Sequence, residues 1–290
     1  MSPRTRVVAI VAVAAAVAAG AVVGVTLLQT RGQTSGTTVR KGFPPLDLPA
    51  SRALTLYNAG KHAQAEALFS RSHTLPGEIG AAFARWPHGT LDDMQRIVAA
   101  NPKSGLAELH LGLAEYWSGR DADAASAFTR ANTVEPDSPA AIAALDFLHP
   151  NVAPGLPPIV YDTSGVPAAA RRKLVTGVQL WSLERPVSAR KAFADALALA
   201  PNDPVVRTAA AVATFSPAEP LAPFPKLGPL TAAFPKAAVV RFHLGELLLW
   251  TRQVKKGEAQ LRLAVSTEPG SVYARAAEKI LGLLGKDGTK

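Results

Sequence analysis

The 290-residue sequence contains no cysteine, and aromatic residues make up only 6% of it. Without cysteine the chain has no disulfide, no thiolate zinc site, no iron–sulfur cluster and no cysteine nucleophile. Because β-sheets favour aromatic and β-branched side chains, the low aromatic content disfavours an all-β sandwich. With 48% hydrophobic and 18% charged residues, the composition is too apolar for a disordered chain. The composition therefore indicates a folded protein without cysteine chemistry.

Catalytic motifs are also absent from the sequence. The six histidines lack the H-E-x-x-H and H-x-H spacings that bring two zinc ligands together. There is no G-x-S-x-G, no G-x-x-x-x-G-K-[ST] and no G-x-G-x-x-G motif. We therefore expect no enzymatic activity, no cofactor and no bound metal.

Acidic residues are fewer than basic ones, 22 against 31, which gives a formal net charge of +9. The charges are scattered along the chain and are not interleaved with aromatic residues, as they would be on a nucleic-acid-binding surface. This pattern predicts a solvated bacterial surface near an anionic membrane, and no nucleic-acid partner.

The first thirty residues differ from the rest. Arg4 and Arg6 precede residues 7–28, an uncharged and mostly apolar run. As a helix, 22 such residues would span about 33 Å, enough for a hydrocarbon core of about 30 Å. Residues 1–30 are thus predicted to contain a single-pass anchor in the bacterial cell membrane, with a cytoplasmic N-tail and the large domain outside the cytoplasm. A cleaved signal peptide and a buried helix of a soluble domain are the alternatives.

Gly20 and Gly24 lie within this run at the G-x-x-x-G spacing that lets two membrane helices approach closely. The spacing predicts a homodimer contact, although it also arises by chance in a helix rich in alanine, glycine and valine. Residues 31–45 are rich in glycine, threonine and glutamine, which predicts a flexible linker. The main domain is expected over residues 46–285, followed by a disordered tail over 286–290.

Prolines recur at a nearly constant interval. Pro102, Pro136, Pro201, Pro235 and Pro269 stand 34, 65, 34 and 34 residues apart. A fixed period of about 20–50 residues is typical of proteins built from stacked structural repeats.

Three segments align at this period, residues 105–138, 170–203 and 238–271. Each has a glycine in its first half, then small and large apolar residues, and a proline near its end. These residues resemble the tetratricopeptide repeat family, whose 34-residue unit is a pair of helices, A and B. The resemblance implies an all-α fold, a right-handed superhelix of stacked helix pairs. A weaker copy covers residues 46–79.

The aligned residues are expected to pack helix A against helix B within each pair. Small residues occur where the two helices approach closely, a large apolar residue fills the gap, and proline follows the pair. The residues predicted for this packing are Gly112, Ala124, Phe128, Pro136, Gly177, Ala189, Phe193, Pro201, Gly245 and Pro269.

The intervals between the good copies are less regular. Residues 77–102 predict a shortened helix pair, whereas residues 139–169 and 204–235 begin as helices and then become proline-rich. Because proline removes a backbone donor and clashes with the preceding turn, no regular helix is expected over residues 216–229. We expect surface loops at both proline-rich places, and a hinge near residues 149–168 is the alternative.

In this family helix A lines the inner surface, and the corresponding positions of this chain are mostly apolar. They predict an apolar groove, rimmed by tryptophan, for an extended or helical peptide. The alternative is that the tryptophans only seal the turn between helices A and B. The predicted groove residues are Leu109, Leu113, Tyr116, Trp117, Leu174, Val178, Trp181, Phe242, Glu246 and Trp250.

Together these features predict a membrane-anchored scaffold that binds another polypeptide and has no catalytic activity. The alternative is a structural spacer or assembly factor of a bacterial envelope complex, similar to the repeat subunits of cytochrome c maturation. A co-chaperone for exported chains is a third candidate. An open inner face would favour binding, whereas a face filled by the proline-rich loops would favour the spacer.

Overall fold

The computed structural model describes residues 40–287. Within this range every regular element is an α-helix, and no β-strand occurs among the described residues. The helices fall into two compact units, residues 40–148 and residues 149–287. The prediction of an all-helical repeat architecture is confirmed.

The N-terminal unit consists of three consecutive helix pairs and one further helix. In each pair the second helix packs directly on the first. The helices are α1 (Arg52–Asn58), α2 (His62–Phe69), α3 (Leu75–Ala84), α4 (Thr90–Ala100), α5 (Gly105–Trp117), α6 (Asp121–Val134) and α7 (Pro139–Leu148).

The C-terminal unit has the same plan, preceded by a non-helical stretch. Its last helix packs on the B helix of the final pair. The helices are α8 (Ala168–Ser182), α9 (Pro186–Leu199), α10 (Pro204–Val212), α11 (Phe224–Ala233), α12 (Ala238–Trp250), α13 (Val254–Thr267) and α14 (Val272–Asp287).

Local sequence accounts for where the helices begin and turn. The side chains of Ser51, Ser104 and Asp203 each accept a hydrogen bond from a backbone N–H in the first turn of the following helix. In the turn between α5 and α6, Gly119 adopts a left-handed conformation with φ of +77°. Glu184 takes the same kind of conformation between α8 and α9, with φ of +54°, although it has a side chain.

Close approach of helix A and helix B is the main packing feature of the pairs. A Cβ atom added to Gly112 would lie 2.6 Å from ring carbons of Phe128, and one added to Gly177 would lie 2.6 Å from ring carbons of Phe193. Both rings are at most 3% exposed. The glycines therefore leave the space that the aromatic rings fill.

The α12–α13 pair reaches the same closeness with a different set of residues. A Cβ atom on Gly245 would lie 3.0 Å from the carbonyl oxygen of Gly257 and 2.9 Å from Cγ of Leu261. Ala124 and Ala189, on the B helices of the other two pairs, are almost fully buried. The predicted prolines Pro136, Pro201 and Pro269 each lie two residues beyond the end of a B helix.

The expectation of irregular structure over residues 216–229 is wrong in part, because α11 begins inside that stretch. Pro225 lies in the first turn of α11, where a backbone N–H has no partner within the helix. Pro229 lies in the interior and forfeits one hydrogen bond. Burial of Leu227, which is fully inaccessible, offsets that loss.

The chain termini also differ from the sequence-based expectations. Residues 40–45, predicted as part of a flexible linker, pack against the N-terminal unit, and Pro44 is buried. Helix α14 continues to Asp287, into the predicted tail 286–290. The predicted membrane segment, including Gly20 and Gly24, lies outside the described residues. Within residues 40–287 no helix is long and apolar enough to cross a membrane.

We expect Gly177→Ala to lower the free energy of unfolding by about 1–3 kcal/mol, because the added methyl group overlaps the buried Phe193 ring. Chemical denaturation followed by far-ultraviolet circular dichroism measures the change. Gly228→Ala is the matched control, since no atom lies within 4 Å of its added Cβ. Equal stability of the two variants would contradict this packing account.

Candidate functional site

The predicted groove residues do not form an open surface in either unit. Nine of the ten are buried, and only Tyr116 is half-buried. Trp181 and Trp250 are 2% and 1% exposed, although each ends a helix A. Something other than helix–helix packing must therefore cover the ends of these helices.

In the C-terminal unit the cover is residues 149–163, which we call the strap. This stretch was expected to be a surface loop or a hinge, but Ala153 and Ile159 are only 3% and 7% exposed. Its sequence explains the burial, because most of its side chains are apolar and its single acidic residue, Asp162, lies near the end. Most of the other strap residues are half-buried, so the strap packs on the unit rather than extending into solvent.

Helices α8 and α12 bind the strap through its main chain. The N–H of Ala153 donates to the carbonyl of Trp250, with 3.1 Å between nitrogen and oxygen. The indole Nε1 of Trp181 donates to the carbonyl of Pro157 at 2.7 Å. The N–H of Val160 donates to Nε2 of His243 at 3.1 Å. Because these contacts use main-chain groups, they hold the path of the strap without selecting its side chains.

Two further contacts fix the ends of the strap. The hydroxyl oxygen of Tyr273, on α14, accepts from the N–H of Asp162 at 2.9 Å. The guanidinium of Arg252 donates to the carbonyl of Pro150 at 2.8 Å. Helices from successive pairs of one unit thus hold a single non-helical segment.

His243 acts as a neutral hydrogen-bond relay between α12 and the strap. Its Nδ1 donates to the carbonyl of Val239 at 2.9 Å, which leaves Nε2 to accept from Val160. Burial lowers the pKa of His243 to about 4, so the ring is neutral near pH 7. A protonated ring would lose the acceptor that the strap requires.

The N-terminal unit holds residues 40–48, the lead segment, in a similar way. The N–H of Arg40 donates to the carbonyl of Trp117 at 3.0 Å, as Ala153 does to Trp250. The guanidinium of Arg40 lies 3.3 Å from the ring centroid of Tyr116. Farther along, the carbonyl of Pro44 accepts from the hydroxyl of Tyr57 at 2.6 Å. In both units a proline-containing segment therefore pairs with the tryptophan carbonyl that ends helix A.

His110 occupies the repeat position that corresponds to His243 but lacks its second contact. Its Nδ1 bonds to the carbonyl of Leu106 at 2.8 Å, and burial lowers its pKa to about 4. Its Nε2 has no hydrogen-bond partner among the described residues. The two histidines thus share their repeat position, their burial and their first hydrogen bond.

Two groups on α12 remain unpaired beneath the strap. The carboxyl of Glu246 has no hydrogen-bond or ion-pair partner among the described residues, and the residue is 4% exposed. Burial is the cause that raises the pKa of Glu246 well above its ordinary value. The indole Nε1 of Trp250 also lacks a partner in that part of the chain. Glu246 and Trp250 thus differ from Trp181 and His243, whose polar groups bond to the strap.

The packing of the strap on the helices was not predicted from the sequence. The signal was present, since Val152, Leu156, Ile159 and Val160 are more apolar than a solvated loop requires. Among residues 40–285, no three His, Asp or Glu side chains come together to hold a metal ion.

We expect the contribution of His110 and His243 to the free energy of unfolding to fall as the pH is lowered from about 7 to 4. Unfolded histidine takes up a proton near its ordinary pKa of 6.5, whereas the pKa of buried His110 and His243 is about 4. Each histidine therefore makes its full contribution to the free energy of unfolding above pH 6.5. About 3 kcal/mol of this contribution is lost for each histidine as the pH falls from 6.5 to 4.

Denaturant unfolding at several pH values tests this expectation. The free energy of unfolding of His243→Gln should depend less steeply on pH than that of wild type. The exposed control His73→Gln should show the wild-type pH dependence. The same pH slope in wild type and His243→Gln would show that His243 is not a buried neutral group.

No protein-family model matches the sequence, and no curated protein matches it either. Among solved structures, similarity is found to the TPR2AB-domain–pHSP90 complex of yeast Sti1, at 12% identity and a TM-score of 0.35, over 82% of this chain and 96% of that chain. Similarity is also found to the C-terminal part of a TPR repeat-containing protein from Cytophaga hutchinsonii, at 14% identity and a TM-score of 0.28, over 78% and 97% of the two chains. Likenesses this distant carry no argument about function, and the helix pairs themselves establish the helical-repeat fold.

Proposed function

We propose that this protein is a non-catalytic scaffold, anchored in a bacterial membrane by residues 7–28, that holds another polypeptide on its helix A faces outside the cytoplasm. The observation that carries the proposal is the way α8, α12 and α14 bind the strap. Side chains and a helix-end carbonyl of the repeat already recognise a non-helical polypeptide through its main chain.

Main-chain recognition suits a scaffold for physical reasons. Main-chain N–H and C=O groups are common to every polypeptide, so a surface that pairs with them accepts many sequences, and side-chain pockets add selectivity. The strap covers this surface as an intramolecular occupant. A partner segment would have to replace it, and the strap has the advantage of being covalently attached.

The predicted anchor would keep the repeat units close to the membrane. Residues 29–39 separate the predicted span from Arg40, which is already bound to the N-terminal unit. Eleven residues reach at most about 38 Å when fully extended. The linker is therefore short compared with the flexible segment expected from sequence, and the scaffold would work at the membrane surface.

A structural spacer or assembly factor is the second candidate, and one observation favours it. The strap fills the face that a bound peptide would need, and burial of its apolar residues stabilises the unit. In that case the strap is a permanent part of the core and no segment replaces it.

We expect a reporter enzyme fused after Lys290 to be active only outside the cytoplasm. The reason is the short basic N-tail ahead of a long apolar run, which favours an N-inside orientation. Activity confined to the cytoplasm would reverse the orientation. A mature chain that begins near residue 30 would replace the anchor by a cleaved signal peptide.

Photo-crosslinking separates the scaffold from the spacer. A photoreactive residue replaces Ser182, which is exposed on α8 one turn beyond the groove residue Val178, or the control Lys191, which is exposed on α9. The scaffold predicts adducts with a discrete second polypeptide from position 182 and not from position 191. These adducts should increase severalfold when glycine and serine replace strap residues 152–160.

A matched control replaces residues 218–222, an exposed part of the other proline-rich stretch, in the same way. This change should leave the adducts unaltered. Absence of adducts at position 182 with and without the strap, together with a lower melting temperature of the strap variant, would favour the spacer.

A further inference from the structure

His243, Glu246 and Trp250 form one stripe on α12. At 100° per residue they fall within about 60° of one another around the helix axis, so they face the same way. The strap bonds to the stripe at both ends, to the carbonyl of Trp250 through Ala153 and to Nε2 of His243 through Val160. It therefore passes Glu246 between its two attachment points.

The strap passes Glu246 without pairing with it, for a geometric reason. His243 and Trp250 are about 10 Å apart along the helix axis, whereas the seven residues from Ala153 to Val160 can extend to about 20 Å or more. The strap is therefore longer than the direct path along α12, and in its middle the carbonyl of Pro157 accepts from Trp181 on α8.

The composition of the strap gives a chemical reason as well. Residues 149–163 contain no lysine or arginine, so the strap offers no cation to a carboxylate. Pro154, Pro157 and Pro158 have no backbone N–H, which removes most of the donors in the middle of the strap. The strap therefore offers the carboxyl of Glu246 no ion pair and few backbone donors.

The indole N–H of Trp250, one turn along α12 from Glu246, also lacks a hydrogen-bond acceptor among the described residues. The indole of Trp181, one repeat position earlier on α8, donates to a main-chain carbonyl of the strap, whereas Nε1 of Trp250 has no partner among the described residues. An occupant that supplied one carbonyl to Trp250 and one cation to Glu246 would satisfy both groups. The strap supplies neither.

We propose that the groove of the C-terminal unit is selective for a partner segment with a lysine or arginine side chain, which pairs with Glu246 while a main-chain carbonyl of the segment accepts from Trp250. This inference rests on the proposed scaffold function and adds the chemistry of its partner. The segment is non-helical, proline-containing and apolar except for the one basic residue. It replaces the strap, whose own residues leave both groups unpaired.

Peptide binding to the full chain tests the proposal, with wild type compared to the variant in which glycine and serine replace residues 152–160. The probes are labelled nine-residue peptides with the sequence of strap residues 152–160, each with one lysine in place of a residue from 154 to 158. A matched series carries norleucine, which keeps the length of the side chain and removes the charge. Fluorescence anisotropy gives the dissociation constants.

We expect at least one lysine peptide to bind the strap variant about tenfold more tightly than its norleucine counterpart. Glu246→Gln in that variant should abolish the preference, because the isosteric amide has no charge to pair with. Trp250→Phe should weaken both series equally and keep the preference. Circular dichroism confirms that each variant is folded.

The experiment distinguishes an error in the proposed selectivity from an error in the proposed scaffold function. Equal affinity of the two series, or a lysine preference that persists in Glu246→Gln, would show that the groove binds peptides without this selectivity. If no peptide of either series binds the strap variant, the groove is not a docking site, and both the selectivity and the proposed function of this face fail.

Discussion

The structure depends on how closely the two helices of each pair approach each other. Glycine at positions 112 and 177 lets an aromatic ring from helix B lie against the backbone of helix A. In the α12–α13 pair, Gly245 and Gly257 bring the two backbones themselves together. Since protein interiors are packed at nearly crystalline density, a single extra methyl group at these contacts has no free volume to enter.

Helix ends create a second requirement, which the non-helical segments meet. The last carbonyls of a helix have no partner within it, and burying them unpaired is costly. The carbonyls of Trp117 and Trp250 are both buried near the end of a helix A, and both accept from a segment outside the helices. The lead segment and the strap are thus needed to complete the two units. Their prolines suit this role, because proline stabilises a non-helical path and leaves few donors to satisfy.

In this arrangement two polar side chains of α12 lack hydrogen-bond partners among the described residues. Burial of apolar strap residues such as Ile159 stabilises the unit, while the unpaired carboxyl of Glu246 and the indole of Trp250 reduce that gain. A core selected only for stability would replace Glu246 with an apolar residue. Residues that lower the stability of a folded protein are commonly found at its functional sites.

The sequence alone determined the helical repeat, because the proline period and the glycine and phenylalanine spacing are local consequences of pairing two helices. Residues such as Gly177 and Phe193 are constrained within one unit of about 34 residues, so their pattern is visible in the sequence. The path of the strap was decided by tertiary structure, since the contact between Val160 and His243 joins residues 83 positions apart. Helix α11 likewise contains Pro225 and Pro229, although proline disfavours helix in the local sequence. Burial of Leu227 stabilises the helix by more than the prolines destabilise it. Local spacing specified the helix pairs, and long-range burial decided which non-helical segments cover them.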